Sequence, residues 1–282
     1  MTVLVVARWT VAEAVSRRLV LAAILLSIAF VGLFALAFSI LYHRAEADTG
    51  NEGELFAVFA ATLLTVLGLY AVQFLASFLA LLLSAGAISG EIESGTLHAV
   101  LARPLSRGQY LLGRWIASVA LVSVYVVVMA GSLLLVARLV AGYQPVDPVR
   151  ALALLVLETV LLLTAGLLGS SFLPTLANAV VLFSLFGLAW LAGIVEFIGQ
   201  SVSNQTLANL GIAVSLVFPS DAIWRAASYY LQPPTFLSEA VIRGGIPFAA
   251  LTPPTTALLL WALAYPVVTL LLALRTFARR DL

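Results

Sequence analysis

Few side chains in this sequence could do chemistry, and they are scattered. Glu158 and Glu196 flank an uncharged apolar run and stand in different apolar stretches. A carboxyl group set in hydrocarbon is costly and usually faces a helix bundle or a cavity. Glu158 could therefore line a path, pair with another helix, or sit protonated at a helix contact. Glu196 is placed to reach interfacial water. His43 with Glu46, Asp48, Glu52 and Glu54 gives one imidazole and several carboxylates on a polar segment. That is a poor metal set, and the segment reads as a solvated external loop. Glu91 and Glu93 are two residues apart, so they do not share a helical face and make no acid–base pair. His98 has no nucleophile arranged with it. No nucleophile–base–acid set emerges, so the sequence carries no catalytic, cofactor or metal site.

The elements that hold these residues follow from composition. Of 282 residues, 63% are hydrophobic and 10% charged, against about 25% charged in soluble domains. Uncharged runs cover residues 19–42, 55–90, 115–137, 159–195 and 244–274. Each exceeds the roughly 20 residues that span a bilayer. The reading is an all-α, six-span transmembrane bundle, with spans at about 19–42, 55–83, 111–137, 149–171, 175–198 and 255–274. Residues 1–18 read as an amphipathic helix at the membrane interface. Arg17 and Arg18 precede an apolar run too long for a signal peptide, so the first span is expected to stay. Pro145 and Pro148 mark a tight outer turn, and Pro174 divides spans four and five.

Residues 199–254 form an outer insertion. Residues 200–206 are too polar to span, and 211–218 are apolar but too short. Pro219 then opens a helix expected at 222–231, with Ser220 or Asp221 as its cap. A re-entrant pair of short helices fits, with a further short helix at 238–242. Trp190, Trp261, Tyr70, Tyr125 and Tyr265 read as packing or interface anchors. Gly166, Gly169, Ser170, Gly187 and Gly193 read as small residues that let helices approach.

Six spans put both ends on one side. Inner segments would then carry nine arginines and outer segments five, all basic residues being arginine. The positive-inside rule places both termini and the connector at 84–115 in the cytoplasm. With a net charge of only +1 and its arginines dispersed, nucleic acid is not an expected partner. With no cysteine, disulfides and thiolate metal sites are excluded.

The connector holds Glu91, Glu93, Arg103, Arg107 and Arg114 between two spans. Gly95 and Thr96 could end one helix and cap a short transverse one, closed by Pro104. Ser106 could cap the helix entering span three. The arginines could pair with acids on a partner or with lipid phosphates. On the residues alone, this is either a charged cytoplasmic loop or a docking surface.

Glu91, Glu93, Gly95, Thr96, Leu97, Pro104 and Arg107, followed by Gly113-Arg114, resemble the permease subunit of ABC-2 type ABC transporters. Six spans, a leading amphipathic segment and an outer insertion extend the resemblance along the chain. It implies a membrane-embedded exporter subunit that pairs with a second copy or a homologue. It also implies that a separate cytoplasmic ATPase, which binds ATP and Mg²⁺, docks at about 91–107. Glu91, Glu93, Gly95, Thr96, Leu97, Arg103, Pro104, Arg107 and Arg114 are the coupling residues so implied. The sequence contains no G-x-x-x-x-G-K-[ST] loop, which agrees with ATP binding on another chain. Pro219, Asp221 and Arg225 resemble a segment of the NosY-like branch, associated with nitrous oxide reductase maturation; one short segment assigns no cargo. The alternatives are a six-span assembly factor or integral membrane enzyme without primary transport, and an ion-coupled carrier, whose usual internal repeat is not evident.

Overall fold

The computed structural model describes residues 2–16, 18–47, 53–95, 106–242 and 248–280. In chain order, α1 is Thr2–Ser16, α2 Arg18–Ala47, α3 Gly53–Ala85, α4 Ser89–Glu93 and α5 Arg107–Ala141. Then come α6 Pro148–Ser170, α7 Thr175–Ser201, α8 Gln205–Val217, α9 Ser220–Leu231, α10 Pro234–Ile242 and α11 Thr256–Arg279. Among the described residues, six helices are long and apolar enough to cross a membrane: α2, α3, α5, α6, α7 and α11. The chain is an all-α, multi-pass membrane protein.

Local chemistry fixes where these helices begin. Ser106 and Gln109 form a reciprocal capping box: the Ser106 hydroxyl accepts from the Gln109 N–H at 3.3 Å, and Gln109 Oε1 accepts from the Ser106 N–H at 3.2 Å. Two otherwise orphaned donors are satisfied, as expected for the helix entering span three. The same helix ends at Gly142, whose left-handed backbone closes it. Asp147 caps α6, with Pro148 inside its first turn. Asn204 Oδ1 accepts from the N–H groups of Thr206 and Leu207 to start α8. At 35 residues, α5 is roughly 52 Å long, more than the ~30 Å hydrocarbon core. An upright α5 therefore extends beyond the bilayer core.

α6 is the central helix. Leu154, Leu155, Leu161, Leu162 and Leu163 are all buried, so it is apolar and enclosed on more than one side. It packs against α3, α5, α9 and α11. In contrast, α2 turns Leu25, Leu33, Leu36 and Ile40 outward, as a peripheral span must in lipid. α8 and α9 meet at a 102° bend at residues 218–219. The pair lies between spans five and six, in agreement with a re-entrant insertion. α9 is deeply seated, with Ile223, Trp224, Ala227 and Leu231 in the main core.

The polar groups of α9 are shielded by protein. Trp224 Nε1 donates to the Phe248 carbonyl at 2.6 Å, and the Ala250 N–H donates to Ser228 Oγ at 3.0 Å. Gln232 Nε2 donates to the carbonyls of Ser228 and Ala250. Backbone away from water needs such partners.

Three expectations are corrected. Neither Ser220 nor Asp221 caps α9. Pro219 occupies the cap position without a side-chain bond, and Asp221 lies in the first turn. The third short helix starts at Pro234, not 238, because proline suits a first helical turn, where its missing N–H is no loss. Gly187 is not a close-approach position, since an added Cβ there would meet nothing within 4 Å. Gly166 is one: a Cβ there would fall on the Ser84 side chain.

Candidate functional site

At one end of the bundle, α1, α5, α6 and α11 meet beside the short helix α4. Its Glu91 forms an ion pair with Arg114 of α5, and Arg114 Nε also donates to the Ala87 carbonyl at 3.1 Å. The Arg114 guanidinium lies 5.9 Å from the Tyr110 ring centroid. Both ionic side chains are largely withdrawn from solvent, at 9% exposure for Arg114 and 19% for Glu91. Gly113, next along α5, lets α1 come close. A Cβ there would stand 2.7 Å from Val6 Cβ and 2.9 Å from the Val3 carbonyl. Val6, Ile88, Tyr110, Leu111 and Phe277 then form one apolar cluster. The Gly113-Arg114 pair thus has a physical reason: one residue admits α1 and the other reaches across to α4.

The remaining connector residues divide by position. Arg107 donates to the carbonyls of Ala278 at 3.3 Å and Arg280 at 2.6 Å, joining the start of α5 to the end of α11. Glu93 is exposed, yet its Oε1 accepts from the Thr175 N–H at 2.8 Å. Gly95 has φ +73°, with nothing among the described residues within 4 Å of an added Cβ. Glycine is favoured there by its backbone conformation. Thr96, Leu97, His98, Arg103 and Pro104 lie outside the described residues, as does the transverse helix expected to contain them.

Within the bundle, Glu158 is fully buried in α6 and turns toward α3. Its Oε1 accepts from Gln73 Nε2 at 2.6 Å and from Ser77 Oγ at 3.4 Å. These two bonds join α6 to α3. Trp115 Nε1 donates to Thr164 Oγ1 at 2.9 Å and ties α5 to α6 nearby. Glu196, half-buried, accepts from the exposed Gln200 one turn on, at 3.2 Å. No three His, Cys, Asp or Glu side chains among the described residues are grouped to hold a metal.

At the opposite end, Arg225 Nε donates to Asp221 Oδ2 at 2.8 Å, and Arg225 Nη2 reaches the Gly193 carbonyl of α7. A Cβ at Gly193 would fall on the Asp221 and Arg225 side chains, so glycine there admits the pair. Asp221 and Arg225 therefore form a clamp between α9 and α7, with Pro219 at the cap position just before them. The turn after α5 grips α9 from the other side. Tyr143 Oη donates to the Leu231 carbonyl, and the Asp147 N–H donates to the Tyr230 carbonyl at 3.0 Å. Burial pushes the Tyr143 phenol above its usual range.

Sequence reasoning missed several of these positions. Gln73, Ser77, Thr175 and Asn178, with Ser170 read only as a small packing residue, are small or neutral polar residues in apolar runs, and their partners lie 80 or more residues away in most cases. Their one available signal was polarity inside a span, where each such group must find a partner.

The comparison with protein families fits this arrangement of spans and connector. A family model described as ABC-2 family transporter protein matches residues 5–282. The chain belongs to the ABC-2 transporter family. A comparison with curated proteins finds no match. Membership makes this a transmembrane permease component of an ABC transporter, not a catalytic subunit, and the family works with an ABC ATPase.

Proposed function

We propose that this ABC-2 permease is the membrane half of an ATP-driven exporter, and that a separate cytoplasmic ATPase docks on residues 91–107. The observation that carries the proposal is the packing of α1, α5, α6 and α11 around the elbow and α4, at the end of the bundle where the arginine-rich connector leaves the membrane. A load applied there reaches several spans through direct contacts. ATP and Mg²⁺ would be held by the partner chain. Both termini and the connector face the cytoplasm, while residues 43–54 and 199–254 lie outside, on the arginine distribution. The working unit contains two copies of this chain, or one and a homologue, with two ATPase subunits. Arginines at the inner surface also meet lipid phosphates.

Native mass spectrometry of the complex, released in mild detergent from its own membranes, tests this reading. Two permease chains with two ATP-binding chains are expected. A stable monomer that hydrolyses ATP by itself would contradict it.

A further inference from the structure

The elbow after α3 is bonded to a distant part of the chain, the turn between α6 and α7. Ser170, the last residue of α6, is fully buried. Its hydroxyl oxygen accepts from two successive backbone donors, the N–H of Ile88 at 2.8 Å and of Ser89 at 3.0 Å. Ser89 Oγ lies 2.9 Å from Thr175 Oγ1, the first residue of α7. Three residues deeper, Asn178 Nδ2 donates to the Ala85 carbonyl at 2.8 Å and to the Gly166 carbonyl at 2.9 Å. This one amide therefore closes off α3, α6 and α7 together.

The helix start of α7 explains why Glu93 belongs to the same group. Pro174 sits at the cap position and offers no side-chain acceptor. The Thr175 N–H is instead taken by Glu93 Oε1, at 2.8 Å, from α4. A carboxylate at a helix N-terminus is favourable both as an acceptor and in the field of the helix. Glu93 thus caps α7 from another segment. Gly86 keeps the two segments in register, since a Cβ there would stand 2.9 Å from Thr175 Cγ2. Arg280 Nη1 adds a bond to the Ser170 carbonyl at 3.3 Å.

We infer that residues 85–93 and 170–178 move as one body, so that force on the connector enters α7 directly, through Ser170, Thr175 and Glu93 as positioning residues. This rests on the reading that an ATPase docks at 91–107. Transmission through α3 and α5 alone would leave α7 to follow by side-chain packing within the membrane. The bonded elbow gives it a drive at its own first turn. Because α7 is clamped through Gly193 to Arg225 of α9, a displacement of α7 also carries to the opposite insertion.

The chain has no cysteine, so a designed pair reports without background. Ser89→Cys with Thr175→Cys places two thiols where hydroxyl oxygens now touch, within reach of disulfide formation. In the complex purified with its ATPase, the oxidised pair should form readily and retain the stimulation of ATP hydrolysis seen in the reduced sample. Loss of stimulation on oxidation, restored by reductant, would show that the two segments separate during turnover and would overturn the inference. Failure of the disulfide to form would overturn it too.

Pull-down separates docking from transmission. Ser170→Ala, outside the docking segment, should keep the ATPase bound but lower its stimulation several-fold, whereas Ser170→Thr, which retains the hydroxyl, should restore it. Equal stimulation in Ser170→Ala and wild type would also count against the inference. An ATPase that fails to bind even the wild-type chain would instead refute the docking reading, and this inference would fall with it.

Discussion

Replacing Glu91 with arginine shows how the structure changes a prediction. From the sequence, Glu91 lies outside the spans, so the change should spare them and weaken only a contact with the partner. The structure places Glu91 against Arg114, in the second turn of α5. Glu91→Arg would therefore bring two guanidinium groups together while removing the carboxylate that balances Arg114. Breaking a buried pair by removing one partner costs about 3–5 kcal/mol. Glu91 keeps 19% exposure, and some solvent screening lowers this to roughly 2–3 kcal/mol. Arg114→Glu alone should cost a similar amount, since it also loses the bond to the Ala87 carbonyl. The exchange Glu91→Arg with Arg114→Glu restores opposite charges. A coupling energy of about 1.5–3 kcal/mol is expected between the two sites. Unfolding titrations in mixed detergent micelles, run on the wild type, both single variants and the double variant, measure it. Additivity to within about 0.5 kcal/mol would refute the pairing.

Three further predictions rest on single contacts. Gly113→Val should push α1 off α5, at about 1–3 kcal/mol of overpacking, and the N-terminal helix should be cleaved faster by added protease. Gly95→Val should destabilise the connector by roughly 1–2 kcal/mol because of its left-handed backbone; Gly95→Asn should be milder, and salt should rescue neither, as thermal unfolding at two ionic strengths can check. Gln73→Leu strips a donor from the buried Glu158 carboxyl and should cost about 1–3 kcal/mol, with Glu158→Leu in the same background recovering part of the loss in the same titration.

The spans were legible because five long runs lack charge, and lipid allows little else. The bent insertion was legible from a short apolar run followed by Pro219. The cap of α5 was legible because Ser106 acts on its own neighbours. What could not be read depends on contacts distant in sequence. Glu91 and Glu93 look alike as exposed acids, yet one pairs with α5 and the other caps α7. Ser170 and Asn178 look like small residues that ease packing, but each bonds to the elbow 80 or more residues earlier. The left-handed backbone at Gly95 also could not be read from the sequence.

The central claim is that an ATPase docks beside α4. Ser94 is exposed at its end, and a photo-reactive amino acid placed there samples whatever covers the connector. Irradiation of native membranes should join this chain to a polypeptide that binds ATP and carries a G-x-x-x-x-G-K-[ST] loop, identified by mass spectrometry of the cross-linked peptides. Cross-links to lipid or to another copy of this chain, with no ATP-binding polypeptide among them, would contradict the account.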